Sequence, residues 1–184
     1  MLLRTVLNVL VLFFPVVLAI HNLEEYSRYE EFVRIYHTRL PIRLTARRTI
    51  FWATATLTAA AIFICVGAVV SKSQVLLLIS KVSICALMLN AVSHCLLSLK
   101  RGRWLPGTRS ACILVLPYSV IALIVMGTSG GDSPVSMLRY ALLSTITIPL
   151  AVVGSLLVGS GIASLRGPGR SRERNASRAF PGRR

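Results

Sequence analysis

Acidic residues are scarce in this sequence: six Asp and Glu stand against 21 Lys and Arg in 184 residues. Charged residues of both signs make up 15%, hydrophobic residues 54%, and the mean hydropathy is +0.70. A soluble domain needs more charge on its surface than that, so the composition excludes one. The four cysteines, Cys65, Cys85, Cys95 and Cys112, fall in apolar segments and form no C-x-x-C pair. A disulfide framework and a zinc ribbon are therefore not indicated, and the thiols read as small packing residues. No G-x-S-x-G, Walker loop or dinucleotide glycine pattern occurs, so the common hydrolase, nucleotide and dinucleotide motifs are missing. The net charge of +15 does not point to nucleic acid, because the basic residues lie between and after apolar runs.

What is present is a series of apolar runs. A transmembrane helix needs about 20 mainly apolar residues, and five segments come near that: Leu2 to Ile20, Thr49 to Val70, Gln74 to Leu99, Ala111 to Gly127, and Val135 to Leu165. The first and fourth are short for a crossing, and the third and fifth are long enough to tilt or protrude. No internal repeat is evident. The sequence predicts an all-α polytopic membrane helix bundle with five transmembrane helices. Residues 1–165 form the membrane domain, and 166–184 a disordered basic cytoplasmic tail of low apolar content.

Loop charge sets the orientation, because cytoplasmic loops carry excess Lys and Arg. Arg28, Arg34, Arg39, Arg43, Arg47 and Arg48 follow the first segment; Lys100, Arg101, Arg103 and Arg109 follow the third; the tail from Arg166 is rich in Arg. The opposite face has only Arg4, Lys72 and Arg139. The N-terminus is predicted outside and the C-terminus inside, in a multi-pass protein of the cell membrane. A signal peptide is the competing reading of the first segment, with Arg4 as its charged start and Val17-Leu18-Ala19 near a cleavage site. Cleavage would place six arginines on the wrong side.

Between the first two crossings, Leu23, Tyr26, Tyr29, Val33, Tyr36 and Leu40 recur at spacings of three or four. That spacing predicts one interfacial helix ended by Pro41, with tyrosines at headgroup depth and its charges facing lipid headgroups. His37 reads as an interfacial residue of that helix. Between the third and fourth segments, Pro106 and Gly107 predict a tight turn and Thr108 a cap for the next helix. Trp104 suits the interface.

Two polar stretches stand out against this background. In "HNLEEY", from residue 21, Glu24 and Glu25 lie at i+3 and i+4 from His21, available to its face of a helix. In "NAVSH", residues 90 to 94, Asn90 and His94 also share a face, and Ser83 continues the stripe. Both stretches close helices that end on the cytoplasmic side, so they can meet at similar depth. Polar groups inside a membrane are costly unless satisfied and face a bundle interior or a cavity. Two imidazoles with one or two carboxylates form a first shell for Zn²⁺ or another divalent ion. In that reading His21, His94 and one of Glu24 or Glu25 hold the metal, the other Glu acts as general base, and Asn90 orients a ligand, water or substrate. The bland alternative is a hydrogen-bonded network that caps two helix ends. Lys81, about 10 Å into the third segment by helix rise, is expected to snorkel outward.

H-x-x-E-E closing a first hydrophobic segment, N-x-x-x-H in a later one, and a basic turn followed by Pro106-Gly107-Thr108 resemble the HXXEE family of small bacterial integral membrane proteins. The resemblance runs from about His21 to Leu165. It implies an inner-membrane location and an enzymatic role for the polar motifs, without naming a reaction. The expected function is a metal-dependent membrane hydrolase with a cytoplasm-facing His/Glu site, acting on a lipid-linked or amphipathic substrate. A small proton- or metal-coupled carrier, and a scaffold whose motif residues only cap helices, are the alternatives. The partners expected are membrane lipids and no nucleic acid; oligomeric state is not indicated.

Overall fold

Runs this apolar satisfy their backbone polar groups within the segment, and in a bilayer that means helices. The computed structural model describes residues 2–36, 41, 43–129 and 132–165, and every regular element among them is helical. They are α1 (Leu2–Ser27), α2 (Tyr29–Tyr36), α3 (Arg47–Val70), α4 (Gln74–Arg101), α5 (Thr108–Ser110), a π-helical turn (Ala111–Val115), α6 (Leu116–Ser129) and α7 (Pro134–Leu165). The run from α5 through α6 is continuous, so five helical stretches are long and apolar enough to cross a membrane. The chain is a polytopic membrane helix bundle. His37 and the tail from Arg166 lie outside the described residues.

In the bundle α1 packs on α3, α3 on α7 and on α4, α7 on α4, α4 on α6 and α6 on α1. Tight joints need small residues: a Cβ on Gly159 of α7 would come within 2.5 Å of the Thr49 carbonyl oxygen of α3. Side chain to backbone hydrogen bonds tie other neighbours, from Ser144 to Val82 at 2.9 Å and from Tyr118 to Leu10 at 2.7 Å. Val11, Phe14, Cys65, Ile84, Val115 and Met126 belong to the main core. Large apolar residues such as Phe13, Phe63 and Ile113 are exposed on the outside, the surface that hydrocarbon would cover.

Several boundaries differ from the sequence reading in ways that matter for function. The first helix does not stop at Ile20; it runs two turns further to Ser27 and carries "HNLEEY" as helix. The expected interfacial helix therefore begins only at Tyr29, after a break at Arg28, and the face the spacing implied is kept in part. Leu23 is exposed, while Tyr26, Tyr29 and Phe32 pack toward Ile50, Ala53 and Leu156. Tyr29 is drawn inward by donating to the Thr45 carbonyl at 2.6 Å. At the far end of α4, Gly102 adopts φ +62° and its N–H returns to the Leu99 carbonyl, a left-handed stop that glycine tolerates. The end at which α1 and α4 finish is called the inner end below.

Candidate functional site

Helix periodicity first brings His21 and Glu25 together, at i and i+4 on α1. The His21 Nε2 to Glu25 Oε1 separation is 3.8 Å. From α4, His94 places Nε2 2.9 Å from the same Glu25 oxygen. The two imidazoles meet edge to face, with ring centroids 5.2 Å apart. Asn90, one turn before His94, brings its Nδ2 to 3.2 Å from His21 Nε2. His21 is 1% exposed, His94 8%, and the Glu25 side chain 20%, so the group is buried yet open at its carboxylate.

Among the described residues, His21, Glu25 and His94 are the group of His, Cys, Asp or Glu side chains whose ligand atoms all lie within 4.8 Å of one another. Donors on a tetrahedral zinc with bonds of 2.0–2.1 Å stand roughly 3.3 Å apart. The separations of 2.9 and 3.8 Å from the carboxylate to the two imidazoles bracket that value, and the two imidazoles' own ligand atoms lie within 4.8 Å of each other. The opposite face of His21 is also engaged, with Nδ1 2.9 Å from the Ser110 hydroxyl. An outer partner on one ring nitrogen fixes the ring and directs the other nitrogen inward, as metal-ligating histidines require.

Glu24, next to Glu25 in sequence, does something different. Its carboxylate accepts the backbone N–H groups of Arg109 at 3.2 Å and Ser110 at 2.6 Å. These are orphan donors of the helix that starts at Thr108, so Glu24 caps that helix from α1 and meets its positive dipole end. Thr108 does not supply the expected cap; Gly107 is the N-cap residue, and the Thr108 hydroxyl is buried without a hydrogen-bond partner. Gly107 has φ +81°, and a Cβ there would stand 3.0 Å from Glu25 Cγ and 3.1 Å from His21 Cε1. The Pro106-Gly107 turn thus lies directly against the cluster.

Ser110 and Gly107 are therefore site residues that the sequence reading missed; only their place in a basic turn marked them. Asn22 is another, buried and donating to the Thr58 hydroxyl at 3.3 Å. The cysteines also hold a surprise. Cys65 and Cys85 are buried as packing residues, but Cys95 and Cys112 bring their sulfurs to 2.7 Å across α4 and the π-helical turn.

The cluster opens on a cavity of about 470 Å³ bordered by α1, α2, α3, α4 and α7, which His21, Glu25, Asn90 and His94 help to line. Lys81 does not line it. Its ammonium is paired with Asp132 at the outer end of the bundle, and Asp132 also accepts from the Tyr140 hydroxyl at 2.6 Å.

No curated protein and no solved structure matches the chain. The family described as proteins of unknown function with an HXXEE motif matches residues 12–122, a span that takes in His21, Glu24, Glu25, Asn90, His94 and the Pro106-Gly107 turn and stops within α6. That span is more than half of the chain, and the chain belongs to the HXXEE family.

Proposed function

We propose that the protein is a metal-dependent membrane hydrolase whose site is built from His21, Glu25 and His94 at the cytoplasmic end of the bundle. The observation that carries this reading is the convergence of two imidazole nitrogens and one carboxylate oxygen from two helices, beside a cavity. Zn²⁺ suits this nitrogen and oxygen donor set, and when bound it would supply Lewis-acid activation of water near neutral pH.

The protein's own groups divide the remaining work. Glu25 has two oxygens: Oε1 faces the imidazoles, and Oε2 can accept the proton of a water attacking a substrate carbonyl or phosphoryl group. Ser110 holds the His21 ring. Asn90 lies against Nε2 and can turn its amide to orient a water or a substrate oxygen. Glu24 is a positioning residue, acting through the helix it caps.

Hydrolysis is supported over a carrier by the distribution of polar groups. A carrier needs polarity through the bilayer, whereas Lys81 is neutralised by Asp132. In nanodiscs with added Zn²⁺, the protein should hydrolyse at least one class among long-chain esters, amides and phosphoesters. Glu25→Gln should abolish that turnover and Glu24→Gln should retain most of it. Undiminished turnover in Glu25→Gln, or zinc-dependent transport without chemical change, would overturn the reading.

A further inference from the structure

We propose that the cavity holds a hydrocarbon tail of an acyl lipid, with the polar end of the lipid at Glu25, His21 and His94. The inference rests on the reading of those residues as the reactive site and specifies the substrate class.

The cavity runs along the helices. On α4 its lining extends from His94 back to Ser83, which is about 16 Å of helix rise. On α1 it continues from His21 to Leu18 and Phe14. All of these positions recede from the inner end, so the lining descends from the cluster toward the middle of the bundle. Half of a bilayer's hydrocarbon core is about 15 Å, so the cavity is about one leaflet deep. The cavity volume of about 470 Å³ is elongated along that direction. That is room for an extended hydrocarbon chain.

The wall below the cluster is apolar in effect as well as in composition. Four hydroxyls line it, and each donates to its own helix: Thr54 to Ile50 at 3.0 Å, Ser83 to Ile79 at 2.8 Å, Thr147 to Ser144 at 3.3 Å and Ser155 to Val152 at 2.9 Å. Their protons are already committed within the helices. Between them stand Leu57, Ala86, Leu87 and Ala151. A polar solute would find few partners along this wall, whereas a hydrocarbon chain needs none. The polar capacity is concentrated at the imidazole and carboxylate end.

An acyl chain seated this way presents its carbonyl at the cluster. Water adds through oxygen to that carbonyl carbon and its proton goes to Glu25. The bond from the carbonyl to the headgroup oxygen or nitrogen then breaks, and the leaving group takes up a proton. A fatty acid and a free headgroup result, with no oxidant or reductant required.

The test uses the full chain in nanodiscs with a palmitic-acid analogue carrying a mid-chain diazirine, and maps the photoadducts by peptide mass spectrometry. Adducts are expected on the cavity wall of α3, α4 and α7 around Leu57, Ala86 and Ala151. Ala86→Trp and Ala151→Trp, which fill the cavity, should each reduce them about tenfold while leaving bound zinc unchanged. Zinc retention shows that these variants are folded. His94→Ala should lose zinc and keep the adducts. Adducts confined to the outer surface of the bundle, or undiminished in both Trp variants, would overturn the proposal even if zinc binds. Wall adducts in a protein that binds no metal would uphold the chain site and refute the hydrolase reading alone.

Discussion

Helix α4 carries a buried polar cluster at each end, and the two are opposites in chemistry. At the outer end Lys81 meets Asp132, with Tyr140 donating to the same carboxylate and its ring 5.9 Å from the ammonium. One cation, one anion and one hydroxyl satisfy each other. At the inner end His94 and His21 share the Glu25 carboxylate, and the group lines a cavity. Burial of charge inside a membrane requires compensation in both places. Only the inner end combines metal-ligand donor types with space for a ligand, and that distinguishes a structural pair from a candidate site.

The comparison can be broken at the outer end first. Lys81→Met leaves Asp132 buried without its cation, which should cost about 3–5 kcal/mol. Thermal unfolding in detergent would show the loss, and zinc content at saturation should not change. A variant that is fully stable, or one that folds but loses zinc, would mean that the two ends are not separate.

A smaller effect sharpens the inner end. Ser110→Ala removes the partner of His21 Nδ1 and frees the ring, so zinc affinity should fall about 10–100-fold, as read by competition with a chelating dye. Unchanged affinity would show that Ser110 does not orient the ring. The smallest effect is expected from Glu24→Gln, whose one amide oxygen can still accept from the Ser110 N–H while its NH2 faces the exposed Arg109 N–H, and which removes the charge from a helix N-terminus. The loss should be about 0.5–1 kcal/mol, seen as a modest shift in melting temperature, with zinc content retained. Loss of zinc there equal to that in Glu25→Gln would return Glu24 to the ligand set.

Much of this arrangement was legible in the sequence because it follows from periodicity and hydropathy. The five crossings, the approach of "HNLEE" to "NAVSH" and the pairing of His21 with Glu25 at i+4 all derive from helix geometry. The division of labour between Glu24 and Glu25 was not legible, since i+3 and i+4 both reach the imidazole face. It is decided by the position of the α5 N-terminus, a partner distant in sequence. The partner that meets Lys81 at the outer end was not legible, because Asp132 lies 51 residues away and nothing local announces the pair. The contact of Cys95 with Cys112 escaped for the same reason, as it depends on the π-helical turn. Phe32 was masked by a simpler error, the assumption of one continuous interfacial helix where the chain breaks at Arg28.

The most direct measurement is the metal content of the purified protein after zinc loading, by elemental analysis, beside His21→Ala, His94→Ala and Lys81→Met. A single shared inner site predicts near-stoichiometric zinc in the unsubstituted protein and in Lys81→Met, and its loss in both histidine variants. No zinc in the unsubstituted protein, or zinc retained when either histidine is removed, would contradict the account and leave the cluster as a hydrogen-bonded joint between helices.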